Sequence, residues 1–276
     1  MKFLRINMTT QTISKEDVPE AYAGLGGRGL TSIMINAEVP PMCDPLGPDN
    51  KLIFAPGFLT GTTLVNTCRI SIGAKSPLTG GIKESNAGGT VAAAIAKVGI
   101  AAIVVEGQPQ PEALYILKVD KEGNAALESA QAFKGMRTYA LAEKLFETYA
   151  EKNAILCIGP AGEYQLASAS VQTTDVDDQP CRAAGRGGLG AVMGAKGLKA
   201  IVVDRQGDMA VELADPEAFK EASKTFAQIV KKNPFTGQML PQLGTAGLVS
   251  AVNSLGAFPS YNATQGVFDG WEKISG

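Results

Sequence analysis

Short apolar runs recur along the chain, separated by glycine-rich loops and by segments with helical spacing. Continuous apolar runs bounded by turn residues are typical of strands that are buried on both faces. The first two strands are expected to form a hairpin. The pattern predicts strands over residues 2–6, 11–14, 51–55, 69–74, 100–105, 114–119, 154–158, 165–173 and 198–203.

Apolar residues spaced three or four apart mark the helices. Leu141, Leu145 and Tyr149 fall on one stripe of a helix predicted over residues 137–151, and Thr138 is positioned to cap it. The same reasoning predicts shorter helices over residues 30–35, 91–98, 191–199 and 245–255.

The pattern changes after about Arg205. Asp215 followed by Pro216 is a helix start, with Asp as the cap and Pro in the first helical position. Only two helices fit into the remaining residues, too few for an independent bundle. The sequence therefore predicts an α+β domain over residues 1–210 and the incomplete beginning of a helical domain over residues 211–276.

The composition is that of a globular protein. Of the 276 residues, 45% are hydrophobic and 19% charged, and the net charge of −2 argues against a general nucleic-acid binder. The first residues contain no apolar stretch of signal-peptide length. The most apolar window, residues 91–105, contains Lys97 and is too short to span a bilayer. The sequence thus predicts a soluble, cytoplasmic protein with neither a nucleic-acid nor a membrane partner.

The chain contains no histidine and no clustered cysteines. Ser-His-Asp and Cys-His catalysis and His-ligated metals are therefore excluded within this chain. Cys43, Cys68, Cys157 and Cys181 form no C-x-x-C pair, which argues against a self-contained zinc or iron–sulfur site. Cys157 is expected in the core. Beside Arg182, Cys181 is interpreted as a small loop residue, with an acidified thiol as the alternative. No catalytic residue is predicted, so the chemistry must come from a bound cofactor or from residues outside this chain.

The densest glycine segment, residues 181–194, contains two arginines four positions apart, Arg182 and Arg186. Glycines let backbone N–H groups surround an anion, a following helix adds its positive N-terminal end, and arginines match phosphate oxygens. We interpret the segment as a cradle for a phosphate-bearing cofactor. The alternative is a turn whose arginines are solvated or paired with Asp175, Asp177 and Asp178.

A second glycine segment has a similar character. Asn86, Ala87 and Gly88 precede the small-residue helix predicted from residue 91, and Arg69 lies at a predicted strand start. Free N–H groups at the helix start would add to an anion site. Taken singly, Asn86 is explained as a helix cap and Arg69 as a strand-edge charge. Together with the later arginine segment, they favour a second cradle.

Residues 185–190 also match the dinucleotide fingerprint G-x-G-x-x-G, and Asp204 lies where a ribose-binding acid would be expected. That fingerprint should follow a strand directly, and the nearest predicted strand is separated from it by residues 174–181. A NAD-type domain is therefore the second interpretation.

The two glycine segments belong to a short internal sequence repeat. Gly89 and Gly187 each precede another glycine by ten residues, and similar apolar strands ending in Glu106 and Asp204 follow at a constant offset of 98. Chance recurrence of small residues is the alternative. We predict that residues 69–106 and 167–204 are related by a pseudo-twofold axis passing between Asn86 and the loop from Arg182 to Gly185.

A series of short motifs extends over essentially the whole chain. They are Gly26-Gly-Arg-Gly-Leu30, Asp44-Pro-Leu-Gly-Pro48, Ser76-Pro-Leu-Thr79, Ser85-Asn86-x-Gly-Gly89, Val105-Glu-Gly107 and Arg182-Ala-Ala-Gly-Arg-Gly-Gly-Leu-Gly-Ala191, followed by Gly244-Thr-Ala-Gly-Leu-Val249 and Asn253-x-x-Gly256. In order and spacing, the series resembles the tungsten-containing aldehyde ferredoxin oxidoreductase family. The resemblance implies two β-sheets that form a base for a tungsten (or molybdenum) bis-pyranopterin cofactor. It also implies that the backbone carbonyls of Asn86 and Ala183 hold a magnesium ion joining two phosphates. The implied cofactor-binding residues are Arg69, Asn86, Ala87, Gly88, Arg182, Ala183, Gly185 and Arg186.

The reaction implied by the resemblance is oxidation of an aldehyde to a carboxylic acid. Electrons would leave through a 4Fe-4S cluster to ferredoxin or a similar acceptor, with a homodimer as one assembly. The cluster ligands in that family follow the point matching Gly276, so they would lie outside this chain. The chain is accordingly expected to be an N-terminal portion, inactive by itself. A non-catalytic scaffold that keeps the fold without the cofactor is the third interpretation.

Overall fold

The computed structural model describes residues 1–149, 152–208 and 211–276. It divides into two units, Met1–Glu212 and Leu213–Gly276. The first unit contains both β-sheets, and the second is helical. The predicted boundary at residue 210 lies outside the described residues, so a domain boundary at that position stays a prediction.

The first sheet is built from six strands in the first half of the first unit. These are β1 (Lys2–Asn7), β2 (Thr12–Asp17), β3 (Leu52–Pro56), β4 (Ile70–Lys75), β5 (Ile82–Ala87) and β6 (Ile100–Glu106). Their spatial order is β2-β1-β6-β3-β4-β5. The β1–β6 pair is parallel, and the other neighbouring pairs are antiparallel.

The second sheet is built from six strands of the second half. These are β7 (Tyr115–Val119), β8 (Ala125–Ser129), β9 (Asn153–Cys157), β10 (Val171–Thr173), β11 (Arg182–Ala184) and β12 (Leu198–Asp204). Their spatial order is β8-β7-β12-β9-β10-β11. The β7–β12 pair is parallel, and the other neighbouring pairs are antiparallel. The predicted α+β class with two sheets is confirmed.

Eight α-helices connect and follow the strands in the described part of the chain. They are α1 (Gly27–Glu38), α2 (Val91–Lys97), α3 (Thr138–Thr148), α4 (Pro160–Glu163), α5 (Leu189–Ala195), α6 (Pro216–Lys232), α7 (Leu240–Leu243) and α8 (Val249–Ser254). Shorter turns of 3₁₀ or π geometry cover Glu20–Tyr22, Gln131–Phe133, Phe235–Met239, Gly244–Leu248 and Trp271–Lys273.

The two halves of the first unit repeat one topology, strand for strand, so that β1–β6 correspond to β7–β12. The pairing registers agree as well. One row of paired residues crosses the first sheet through Lys15, Leu4, Ile103, Phe54, Ile72 and Ser85. The corresponding row in the second sheet passes through Leu127, Leu117, Ile201, Leu156, Thr173 and Arg182.

Smaller details repeat too. The register shift in each parallel pair passes over one residue of the later strand, Ala101 in β6 and Lys199 in β12. A 3₁₀ turn precedes both α1 and α3, and each turn is followed by a glycine with positive φ, Gly24 at +75° and Gly135 at +79°. The predicted repeat is confirmed in its topology, and it extends from β1 to β12.

Contacts between the two halves are reciprocal, as a twofold relation requires. The loop before α2 lies on the end of β10, where Thr90 N donates to Thr174 O at 2.9 Å and Thr173 Oγ1 donates to Gly88 O at 2.7 Å. The loop before α5 lies just beyond the end of β4, where Ser76 Oγ donates to Gly187 O at 2.8 Å. Each half therefore fixes the glycine loop of the other.

The main core lies between the two sheets and includes α2 and α5. Alternate residues of β6 and β12 face opposite ways. Ile103 and Ile201 enter this shared core, whereas Val104 packs under α1 and Val202 packs under α3. Because both faces of each central strand are covered, these strands are almost entirely apolar, which is why the sequence reveals them.

Three observed strands, β5, β8 and β11, are absent from the sequence-based prediction. Each lies at a sheet edge and has a largely polar or exposed pattern. The predicted strand over residues 165–173 is wrong before Val171, because Gln165 has φ +54° and Leu166 N donates to Ala161 O in a turn after α4.

The predicted helix over residues 137–151 is observed as α3, and its apolar stripe is buried. Thr138 is the first helical residue rather than a cap, and the capping position, Arg137, makes no side-chain capping bond. Residues 150 and 151, the predicted end of the helix, lie outside the described residues.

The second unit begins as the sequence predicts. Asp215 accepts a 2.9 Å hydrogen bond from Ala218 N, and Pro216 is the first residue of α6. The apolar side of α6 is partly exposed at Phe226 and Ile229. The helix predicted over residues 245–255 is split into a 3₁₀ segment and α8.

Among the helices that the structure describes, none combines the length and the apolar character needed to cross a bilayer.

Candidate functional site

The free edges of the two sheets meet. β5 and β11 are the equivalent edge strands, and they contact each other. Arg186 N, just after β11, donates to Ser85 Oγ of β5 at 3.1 Å. Because an edge strand has unpaired backbone N–H and C=O groups, this junction offers donors and acceptors to a ligand.

Two cavities of nearly equal size flank the junction. Cavity A, about 730 Å³, is lined mainly by Arg69, residues 86–89, Asp175 and residues 181–183. Cavity B, about 740 Å³, is lined by Arg28, residues 82–86, Ala183, Gly185 and Arg186. Of the residues that the structure describes, Asn86 and Ala183 alone line both cavities.

The two cavities are equivalent under the repeat, because the residues of one correspond to the residues of the other. Asn86 pairs with Ser71, and Ala183 pairs with Gln172, at corresponding points of the two registers. Asn86 and Ala183 are therefore equivalent residues. Cavity A combines the end of β5 with the start of β11, and cavity B combines the start of β5 with the end of β11. Their common boundary is where the predicted pseudo-twofold axis should pass.

All eight residues that the resemblance implies lie in these cavities. Arg69, Ala87, Gly88 and Arg182 line cavity A, Gly185 and Arg186 line cavity B, and Asn86 and Ala183 are shared. The structure adds residues that the sequence analysis did not single out, above all Arg28, Lys83 and Glu84 in cavity B. Arg28 lies within one of the quoted motifs, whereas Lys83 and Glu84 belong to a polar edge strand with no sequence signal.

The cavities concentrate positive charge in a chain whose net charge is −2. Arg28, Arg69, Lys83, Arg182 and Arg186 line them, against two carboxylates, Glu84 and Asp175. Such a local excess of cations attracts anions.

Three of these cations have partners that leave part of their hydrogen-bonding capacity free. Arg69 Nε donates to Asn86 Oδ1, Arg182 Nη2 lies 3.8 Å from Asp175 Oδ2, and Arg28 Nε lies 3.6 Å from Glu84 Oε2. The side chains of Lys83 and Arg186 make no ion pair or hydrogen bond with the described residues.

Asp175 is held rigidly beside Arg182. Its Oδ1 accepts from the backbone N–H groups of Asp177 and Gln179 at 3.0 and 3.1 Å, and its Oδ2 accepts from the Cys181 thiol at 3.0 Å. The thiol bond lowers the pKa of Asp175 and raises the pKa of Cys181. The alternative of an acidified Cys181 thiol is therefore wrong, because a carboxylate and not a cation is its nearest partner. Cys157 is fully buried as predicted, which raises the pKa of its thiol to about 12.

The glycines after Arg186 serve packing rather than an open cradle. Gly187, Gly188 and Gly190 are buried, and a Cβ on Gly188 would lie 2.1 Å from Ala167 O. At each helix start one N–H group already has a partner, since Gly190 N donates to Ala169 O at 3.0 Å and Thr90 N donates to Thr174 O. Neither α2 nor α5 contributes a lining residue to the cavities, which are lined mainly by the edge strands and the loops beside them.

The topology also excludes the dinucleotide interpretation of residues 185–190. A short strand, β11, does precede Gly185, but β11 and β12 are separated by β10 and β9 and run antiparallel. A dinucleotide-binding unit needs parallel strands joined by a crossover helix, and α5 spans only Leu189–Ala195.

Gly194→Ala is expected to lower the free energy of unfolding by about 1–3 kcal/mol, because its Cβ would overlap a well-packed backbone. That Cβ would lie 1.8 Å from Gly162 O, where α5 packs on α4. Gly185→Ala is the matched control, since its nearest neighbour, Ala183 Cβ, would be 3.9 Å away. Urea unfolding of both variants measures the difference, and equal stabilities would contradict the packing role.

Comparison with known proteins identifies relatives of both units. Residues 3–205 match the model of the aldehyde ferredoxin oxidoreductase N-terminal domain. Residues 221–276 match the model of aldehyde ferredoxin oxidoreductase domains 2 and 3.

Named relatives agree with these matches. The tungsten-containing aldehyde ferredoxin oxidoreductase of Pyrococcus abyssi is 40% identical over 272 residues, covering 97% of this chain and 43% of the relative. That of Pyrococcus furiosus is 39% identical over 273 residues, with the same coverage. The chain thus spans about two fifths of the length of the curated relatives it matches.

A solved structure shares the fold. It is the active site complex BamBC of benzoyl coenzyme A reductase, bound to 1,5-dienoyl-CoA. The match has a TM-score of 0.78 and 29% sequence identity, and it covers 88% of this chain and 36% of that one.

Proposed function

The chain belongs to the aldehyde ferredoxin oxidoreductase family, and we propose that its residues 1–210 form the base on which a tungsten bis-pyranopterin cofactor is held. Residues 211–276 would begin the helical domain that follows. The resemblance that the motifs indicate is confirmed by the family models and by the named relatives.

The observation that carries this proposal is the pair of equivalent cavities. Cavities A and B have nearly the same volume, are exchanged by the repeat and share Asn86 and Ala183. A cofactor with two similar halves joined at a metal-bridged centre fits such an arrangement, with one pterin in each cavity. The cationic lining suits the phosphate of each half.

Within this arrangement each residue has a proposed role. Arg69 and Arg182 would hold one pterin and its phosphate in cavity A, next to the backbone of Ala87 and Gly88. Gly185 and Arg186 would do the same in cavity B.

The magnesium ion would lie at the shared boundary, bound by the backbone carbonyls of Asn86 and Ala183, because Mg²⁺ prefers oxygen ligands. The Asn86 carbonyl accepts a long, 3.5 Å hydrogen bond from Arg69.

The proposed activity of the whole protein is oxidation of aldehydes to carboxylic acids, with electrons passed to ferredoxin through a 4Fe-4S cluster. The metal and the pterins supply the redox chemistry when bound. The residues of this chain bind and orient the cofactor, and none of them is assigned a catalytic role. The cluster ligands would lie outside the chain.

Arg182→Ala and Arg186→Ala test this proposal. Each removes charge-assisted hydrogen bonds of about 1.5–3 kcal/mol, so cofactor affinity should fall roughly tenfold to a hundredfold. Tungsten per folded protein is the measurement, made on protein produced where the cofactor is supplied. Both arginines are exposed, so thermal unfolding should change little.

Arg205→Ala is the control, because Arg205 pairs with Asp178 at 2.9 Å and lines neither cavity. Tungsten content equal to that of the control in both cavity variants would refute the proposed site.

A further inference from the structure

Cavity B has no arginine at the positions equivalent to Arg69 and Arg182 of cavity A. The strand registers make Ser85 the equivalent of Arg182, and they place Ser170, one residue before β10, at the position of Arg69 before β4. Two equivalent cavities for two equivalent phosphates need similar charge. In cavity B that charge must come from positions that the repeat does not predict.

Lys83 is held against the loop that carries Arg186. A Cβ on Gly187 would lie 2.3 Å from Lys83 Cγ, so the lysine stem crosses the space that a side chain at residue 187 would fill. Ser85, on the same side of β5 as Lys83, accepts the 3.1 Å bond from Arg186 N. Ser76 Oγ fixes the Gly187 carbonyl at 2.8 Å. The geometry thus brings the Lys83 stem close to the backbone of Arg186.

The charges of these two residues are unbalanced within the described part of the chain. Neither Lys83 nor Arg186 has an acidic partner there. The carboxylate of cavity B, Glu84, points its Oε2 toward Arg28 at 3.6 Å. Two neighbouring cations without acids repel each other, and a dianion between them would relieve that repulsion.

We propose that Lys83 is a phosphate-binding residue that holds, together with Arg186, a phosphate monoester dianion in cavity B. The lysine supplies a point charge and the arginine a planar pair of donors, a combination suited to the oxygens of one phosphate. This inference rests on the proposed cofactor site, since the phosphate would be that of the pterin in cavity B.

The experiment titrates the full chain with inorganic phosphate by calorimetry at low ionic strength. Lys83→Met keeps the methylene stem over Gly187 and removes the charge, so the dissociation constant should rise about tenfold. Lys83→Arg should restore binding to within about threefold of the unmodified chain, because the charge returns. Lys97→Met, on the exposed end of α2, is the control and should change nothing. Thermal unfolding of each variant confirms that the fold is kept.

Arg186→Met separates this inference from the proposed function. Weaker binding in both Arg186→Met and Lys83→Met supports the pair. If Arg186→Met weakens phosphate binding while Lys83→Met leaves it unchanged, the role of Lys83 is overturned and the cofactor site stands. If neither variant weakens phosphate binding, both the role of Lys83 and the proposed cofactor site are overturned.

Discussion

Replacing Lys199 with methionine is expected to lower the free energy of unfolding by about 3–5 kcal/mol, because it leaves a buried carboxylate without its counter-charge. The Lys199 and Glu163 side chains are 0% and 7% exposed and form a direct ion pair. Lys199 Nζ also donates to Met136 O at 3.0 Å, and Glu163 accepts from Gly135 N at 2.8 Å. The pair therefore fixes the turn that leads into α3. Urea unfolding near neutral pH measures the loss.

Lys2→Met is the matched control. Lys2 forms a Lys–Asp pair with Asp17, but the two side chains are 51% and 89% exposed. Water screens an exposed pair, so this variant should be nearly neutral.

The double variant Lys199→Met with Glu163→Gln removes both charges and should recover part of the loss. A cost below about 1 kcal/mol for Lys199→Met alone would show that the pair does not support the fold.

Hydrophobic patterning is most effective for the strands that are covered on both faces. β6 and β12 face the shared core on one side and α1 or α3 on the other, so they are almost entirely apolar. β5 and β11 have a strand on one edge only and line the cavities with polar side chains. Their residues are exposed or only partly buried for the most part, which is why hydrophobic patterning misses them.

The sequence reveals only part of the repeat, because the offset between equivalent residues is not constant. The offset between equivalent residues is 98 for Ile103 and Ile201 but 113 for Leu4 and Leu117. Because the loops of the two halves differ in length, the sequence offset between equivalent residues changes from strand to strand. A search of the sequence at one fixed offset therefore finds only α2, β6 and their counterparts. Strand pairing is insensitive to loop length and recovers all six pairs.

The sequence predicts the residues of the candidate site for which the family resemblance gives a match. The eight residues named from the family resemblance all lie at the two cavities. A cradle of glycine N–H groups is wrong for buried packing glycines such as Gly190. Lys83 has no sequence signal, because its position depends on the contact of β5 with a loop about a hundred residues away.

Lys196 is expected to make the protein more stable as the pH rises from about 8 toward 10.5. Its ammonium is buried and, among the described residues, donates to the carbonyls of Gly47, Pro48 and Gly107 at 3.1, 3.2 and 2.8 Å. Burial lowers the pKa of Lys196 from 10.5 to about 8. At pH 7 the lysine is charged in both the folded and the unfolded chain, and folding bears the full cost of burying the charge.

Between these two pKa values the folded protein releases its proton while the unfolded chain keeps it, so the free energy of unfolding rises with pH. At about 1.4 kcal/mol per pKa unit, the gain approaches roughly 3 kcal/mol by pH 10.5. Because other groups titrate in both proteins, the difference in stability between the unmodified chain and Lys196→Met isolates this effect. Loss of the three hydrogen bonds in the variant adds only a constant offset. Urea unfolding at pH 7, 8, 9 and 10 measures the difference. A difference that stays flat over this range would mean that the Lys196 ammonium keeps its ordinary pKa inside the fold, stabilised by the three carbonyls alone.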